Sequence, residues 1–221
     1  MRSRSRYAMP HTDTDLEPLF EAAATRLAED AYAVLTDLMP PGDAHRLLDV
    51  LRETYPPDTL RQAGIGQQQD FAVRTRVRGD QIRWIDPTDA PPAVQDFYSR
   101  IHGLMHYLNR TCYLGLQDFE SHFTTYPPGT YYQRHLDQFR HDDHRRLSFI
   151  YYLNPHWQPG DGGELLLYLP DGQTVVVEPR LGVLACFRSE LLEHEVRETR
   201  VERYSLTGWM LNCPAGLGFL G

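Results

Sequence analysis

Residues 164–187 read ELLLYLPDGQTVVVEPRLGVLACF, and this stretch decides the fold class. Three short runs lie in it: Glu164–Leu169, Thr174–Glu178 and Val183–Phe187. Their Val and aromatic side chains suit a pleated, half-buried surface. Pro170-Asp171-Gly172-Gln173 carries turn chemistry, since Pro presets φ and Gly accepts a positive one. The same texture continues outward in both directions. Glu120–Tyr126, Tyr131–Asp137 and Leu147–Leu153 precede it; Glu193–Val196 and Arg203–Leu211 follow. Eight short strands at this spacing predict a β-sandwich or jelly roll.

The first third reads differently. Leu16, Leu19, Phe20, Ala23 and Leu27 recur at helical spacing, and Asp13, Thr14 and Asp15 are candidate N-caps. Tyr32–Leu38 predicts a strand. After Pro40-Pro41-Gly42, Asp43 is a candidate cap for a helix carrying Leu47, Leu48 and Leu51. Arg78–Ile85 predicts a strand, and Pro91-Pro92 opens a long helix through Phe97, Ile101, Leu104, Met105 and Leu108. Helices first and strands later predict an α+β, mainly β unit whose helices buttress the sheets. No linker divides the chain, so a single domain over 1–221 is expected. Within it, 1–14 is expected to be disordered, 15–114 to form helical support and a substrate loop, and 115–212 to form the β-barrel core.

The 22 Lys and Arg against 30 Asp and Glu give a net charge of −8. That balance offers no general basic surface, and no nucleic-acid partner is expected. Arg2, Arg4 and Arg6 form the one basic cluster, at a terminus expected to be disordered. Cys112, Cys186 and Cys213 lack C-x-x-C spacing, which argues against a disulfide framework and for a reducing compartment. No apolar run is long enough to span a bilayer, and no secretory h-region follows the first charges. A cytoplasmic location without a membrane partner is expected.

The chemistry centres on His135, Asp137, His194 and Arg203. Residues two apart in a strand share a face, so His135 and Asp137 can point together into a barrel. His194 would add a third ligand from a later strand. Two imidazoles and one carboxylate suit Fe(II) and leave coordination positions open, whereas structural zinc sites are closed by four ligands. H-x-D alone recurs by chance. Arg203 shares its face with Ser205, Thr207 and Trp209, and an inward Arg would need an anion. Alternation alone leaves an outward surface ion pair equally open.

Other groups carry bland readings. His141, Asp142, Asp143 and His144 read as a solvated loop, His102 and His106 as helix packing or surface. Gly160, Gly162 and Gly163 read as a turn, and Cys186 as a buried small hydrophobe.

Seven short motifs now add a resemblance. Val77-Arg78-Gly79-Asp80-Gln81-Ile82-Arg83-Trp84-Ile85 resembles an element of the hypoxia-inducible-factor type prolyl hydroxylases. So do Tyr126-Pro127-Pro128-Gly129, Tyr132-x-x-His135-x-Asp137, and Ile150-Tyr151-Tyr152-Leu153-Asn154-x-x-Trp157. Gly162-Gly163-Glu164-Leu165, His194-Glu195-Val196 and Arg203-Tyr204-x-x-Thr207-x-Trp209 complete the series, in order from about residue 31 to 210. The resemblance implies a double-stranded β-helix with Fe(II) at one mouth, held by His135, Asp137 and His194. It implies that Arg203 pairs with the distal carboxylate of 2-oxoglutarate and that Tyr152 adds a hydroxyl. Tyr126 matches a tyrosine lining that pocket, and Thr207 and Trp209 match neighbouring positions. The stretch from about Leu60 to Asp80 matches a mobile substrate loop, with Arg78, Asp80 and Trp84 as substrate-side residues.

The implied reaction consumes O2 and 2-oxoglutarate, hydroxylates a prolyl residue, and releases succinate and CO2, with ascorbate as an accessory reductant. The implied partner is a cytoplasmic protein with an exposed prolyl loop; for some bacterial relatives that protein is a translation elongation factor. The sequence shows no zinc finger ahead of this region, which leaves partner recognition to the catalytic domain. A hydroxylase of a free amino acid or small metabolite would use the same chemistry. A nucleic-acid dealkylase would carry a second Arg six residues after Arg203, where Trp209 stands. A non-catalytic jelly-roll module would lack one of the four central residues.

Overall fold

The computed structural model describes residues 16–54, 61–62, 78–138 and 144–213. Helix α1 (Glu17–Asp30) is followed by β1 (Tyr32–Leu35) and α2 (Pro41–Thr54). Strands β2 (Arg61–Gln62) and β3 (Gln81–Trp84) lead to the long α3 (Pro92–Cys112). Eight strands then follow: β4 (Asp118–Tyr126), β5 (Tyr132–His135), β6 (Arg145–Tyr152), β7 (Leu165–Tyr168), β8 (Thr174–Val177), β9 (Leu184–Arg188), β10 (Glu193–Val196) and β11 (Arg203–Leu211). They fall where the alternating runs predicted them.

Two antiparallel sheets result. The larger has the order β1-β9-β6-β11-β4-β3-β2, the smaller β5-β10-β7-β8. Period-two alternation divides each central strand between two cores. On β6, Phe149 and Tyr151 face the helices, while Ile150 and Tyr152 face the smaller sheet. On β9, Leu184 and Cys186 face the helices, while Ala185 and Phe187 face the smaller sheet. The helices supply Phe20, Leu27, Leu47, Leu51, Phe97, Ile101 and Leu108 to the first core, all buried. Each such side chain contributes roughly 1.5–3 kcal/mol of burial, so the helices are held by packing against the larger sheet. The second core, between the sheets, takes Leu165, Leu167, Val177 and Val196 from the smaller one.

Several expectations need correction. The Arg78–Ile85 run is not one strand: β3 begins at Gln81, and Arg78 makes only an isolated bridge to Tyr132. The chain is turned there because Gly79 N–H donates to Tyr131 O at 3.0 Å. The support region is not only helical, since β1 pairs β9 and β3 pairs β4 within the larger sheet. Asp43 lies inside the first turn of α2 rather than at its cap; its N–H donates to Pro40 O, and its carboxylate pairs with Arg46. The caps Asp13, Thr14 and Asp15, the basic cluster Arg2, Arg4 and Arg6, and His141, Asp142 and Asp143 lie outside the described residues. So do Leu60 and residues 63–77 of the expected substrate loop.

Candidate active site

The face of the larger sheet turned toward the smaller one carries a polar strip. From β4 come Glu120, His122, Thr124 and Tyr126; from β11 come Arg203, Ser205, Thr207 and Trp209. Register places Ser205 beside Tyr152, Thr207 beside Ile150 and Trp209 beside Ser148 of β6. The strip therefore runs from Arg203 and Tyr152 at one end to Ser148 and Trp209 at the other.

At the Ser148 end, His135, Asp137 and His194 bring their ligand atoms within 4.8 Å of one another. His135 and His194 are direct partners in the β5–β10 ladder, which fixes their separation. Asp137 Oδ1 lies 3.5 Å from His135 Nε2, and Oδ2 lies 3.5 Å from His194 Nε2. His135 Nδ1 sits 2.7 Å from Gln133 O and His194 Nδ1 3.3 Å from Leu192 O. A carbonyl only accepts, so both Nδ1 atoms carry the proton and both Nε2 lone pairs face the cluster. That is the tautomer a metal requires, with the outer nitrogen anchored. Burial pushes His194 down to about 4, only partly offset by Asp137, so its imidazole is neutral near pH 7. Burial alone would raise the Asp137 carboxyl, but it is held well below the usual range by His194 and His135 in the acid range where they carry a proton on Nε2, and by the Ser148 hydroxyl throughout.

The expectation that strand alternation aims Asp137 is wrong in its mechanism. Strand β5 ends at His135, and Asp137 sits in the following bend. Its carboxylate is held instead by Ser148 Oγ–H, donating to Oδ2 at 2.6 Å.

At the other end, Arg203 is 1% exposed. Its Nε donates to Gly163 O at 2.8 Å, and its guanidinium lies over the rings of Tyr126 (4.8 Å) and Tyr152 (5.0 Å). Among the described residues, Arg203 Nη2 and Tyr152 Oη are buried without a hydrogen-bond partner. The buried charge is inward, which resolves the alternative left open by alternation. Unpaired buried charge costs several kcal/mol, so the pair fits an incoming carboxylate that accepts from both. Burial raises the Tyr152 phenol to about 12, against the opposing Arg203 charge, so it stays a donor. Gly163 permits the approach: its φ is +74°, and a Cβ there would lie 2.8 Å from Arg203 Cδ.

The three substrate-side residues are not equivalent. Asp80 is buried and ion-paired with Arg78 through two bonds of 2.7 and 2.5 Å. Arg78 in turn lies over Tyr132, whose ring stacks on His135 at 3.6 Å. Trp84 is 40% exposed and touches His122 and Trp209. Thr207 is half-buried, 3.2 Å from Ser205 Oγ. Trp209 Nε1 is buried without a partner among the described residues, and Arg145 covers its ring at 3.6 Å.

Sequence reasoning missed Ser148, Ser189 and His122. Ser148 had a signal: the one small polar residue in the run LSFIYYL, on the same face as Ile150 and Tyr152. His122 sits directly opposite Thr207 and bonds Thr124 Oγ1 at 2.9 Å. His102 packs on Phe119 at 5.0 Å, as the helix-packing reading expected. Cys186 is fully buried, its thiol pushed up to about 12 by that burial, as expected of a small hydrophobe.

Residues 121–211 match the 2OG-Fe(II) oxygenase superfamily. A Pseudomonas putida prolyl-4-hydroxylase crystal structure is 40% identical with a TM-score of 0.81, covering 88% of this chain and 100% of that one. A Trichoplax adhaerens prolyl hydroxylase, solved with a hypoxia-inducible-factor oxygen degradation domain peptide, is 25% identical with a TM-score of 0.82, over 90% and 91% of the two chains. Human prolyl hydroxylase EGLN3 is 28% identical over 207 residues, 90% of this chain and 86% of that one. The chain belongs to the 2OG-Fe(II) oxygenases, as an Fe(II)- and 2-oxoglutarate-dependent dioxygenase homologous to the prolyl hydroxylases of these organisms.

Proposed function

We propose that this enzyme hydroxylates C4 of a prolyl residue in an exposed loop of a cytoplasmic protein, with a translation elongation factor as the first substrate to test. The two sheets are read as the jelly-roll barrel of that activity, with His135, Asp137 and His194 as iron ligands. The observation that carries the reading is the polar strip itself. One wall holds three converging candidate ligand atoms at one end and, at the other, a buried guanidinium whose Nη2 lacks a partner among the described residues.

Each residue then has a task. His135 and His194 present Nε2, and Asp137 presents carboxylate oxygen. Arg203 and Tyr152 accept the distal carboxylate of 2-oxoglutarate between them, and Tyr126 closes the pocket against its guanidinium. Thr207 and Ile150 lie between the two ends of the strip and define the path of the keto acid's carbon chain. Bound iron supplies a centre at which oxidative decarboxylation of 2-oxoglutarate to succinate and CO2 is coupled to insertion of one oxygen atom into a C–H bond. Trp84, half-exposed beside Trp209, offers an apolar ring at the rim for a proline ring. An extended loop suits a recessed site, because its backbone reaches inward without unfolding a helix or sheet. The peptide held by the Trichoplax relative supports a peptide-sized substrate.

The test incubates the purified enzyme, Fe(II), ascorbate and 2-oxoglutarate with extract of the host organism, followed by peptide mass spectrometry. A single-oxygen addition on proline, absent with His194→Ala, supports the reading. Oxygen gained only by a free amino acid or small metabolite contradicts it and favours a small-molecule hydroxylase.

A further inference from the structure

Asp137 lies beyond the end of β5, so no strand ladder aims its carboxylate. Its oxygen Oδ2 accepts from Ser148 Oγ at 2.6 Å. An ionised carboxylate only accepts, so the single Ser148 proton is committed to it. Ser148 Oγ also lies 2.8 Å from Ser189 Oγ, and Ser189 must then be the donor in that bond. The serines are 1% and 0% exposed, so bulk water does not compete for either bond. Ser189 is anchored in turn, its N–H donating to Arg146 O at 3.2 Å.

We propose that Ser189 and Ser148 form a hydroxyl relay that holds Asp137 as a one-oxygen metal ligand. The proposal rests on the triad being the metal site. With Oδ2 engaged by Ser148, Oδ1 is the stronger metal donor, and the carboxylate is kept from clamping the ion through both oxygens. Three single-atom ligands leave positions open for a chelating cosubstrate and for oxygen, whereas a two-oxygen carboxylate would fill one of them. Ser189 contributes by fixing the Ser148 hydroxyl rotor, which otherwise turns freely. Both serines are positioning residues, and neither needs to touch cosubstrate or substrate.

The test uses the apo full-length chain without cosubstrate or turnover. Mn(II) affinity is measured by calorimetry and Co(II) coordination by the visible absorption spectrum. Wild type should bind one ion. Ser148→Ala should bind about 10- to 100-fold more weakly, with an altered Co(II) band. Ser189→Ala should lose about 2- to 10-fold, the loss of one neutral hydrogen bond. Ser148→Thr, which keeps the hydroxyl, should recover most of the affinity. Thermal unfolding of the apo forms separates a metal effect from a folding one, and Ser189→Ala and Ser148→Thr carry the test if Ser148→Ala does not fold. Wild-type affinity and spectrum in folded Ser148→Ala or Ser189→Ala would overturn the relay alone. A folded wild-type chain that takes up no metal would instead overturn the triad reading.

Discussion

Arg203 and Tyr152 meet across two adjacent strands, guanidinium carbon 5.0 Å from ring centre, and each keeps one buried polar atom unpaired among the described residues. A carboxylate bound between them would satisfy both at once. Arg78 and Arg145, also partly buried, already have Asp80 and Glu120. The distinction sets Arg203, the proposed cosubstrate contact, apart from these structural ion pairs.

Arg203→Ala should therefore raise the KM for 2-oxoglutarate by at least about thirtyfold, since truncating a desolvated charge partner costs about 2–5 kcal/mol. Tyr152→Phe should raise it about 2- to 12-fold, the scale of one neutral hydrogen bond at about 0.5–1.5 kcal/mol. Steady-state kinetics with varied 2-oxoglutarate reads both. Wild-type KM in both variants would place the pocket elsewhere.

Gly163→Ala should act on the same pocket from behind. The positive φ costs an L-residue about 1–2 kcal/mol, and the new methyl would press on Arg203 Cδ and Thr199. Urea unfolding should show the stability loss, and the 2-oxoglutarate KM should rise as well. A stability loss with unchanged KM would mean that Arg203 is not displaced.

The legible parts of the sequence were those governed by local periodicity. Arg203–Leu211 was read with its bounds and both faces, because alternation along one strand decides which side each residue takes. The long helix was read from Pro91-Pro92 and its apolar spacing. The three proposed ligands stand out as residue types at familiar spacing, but the orientation of Asp137 does not. It depends on Ser148 of β6 and on Ser189 in the turn after β9, which lie 11 and 52 positions away in sequence and meet it only through sheet packing. The break at Gly79 was hidden for the same reason: it comes from Tyr131 O and the Thr130 side chain, neither adjacent in sequence. His122 looked like any strand residue until Trp84 and Trp209 closed around it.

His122 should make stability depend on pH. Burial lowers its pKa to about 4, with Arg78 and Arg145 adding to the shift and Asp80 opposing it. The unfolded chain gains a proton near 6.5 while the folded one stays neutral until about 4. Stability should thus fall as pH drops from about 6.5 to about 4, by about 3 kcal/mol in total. His122→Asn should remove that component, so the difference between the two unfolding free energies should shrink or reverse across this window. A difference constant between pH 7 and 4 would contradict the buried, neutral imidazole.

The most direct test of the account is succinate formation from 2-oxoglutarate by purified enzyme with Fe(II), O2 and a prolyl substrate, followed by NMR. Wild type should form one succinate per hydroxylated proline. His135→Ala, Asp137→Ala and His194→Ala should each form none above background while remaining folded, because each loses a coordinate bond and little core packing. Retained 2-oxoglutarate decarboxylation in any two of these variants would contradict the assignment of the catalytic centre.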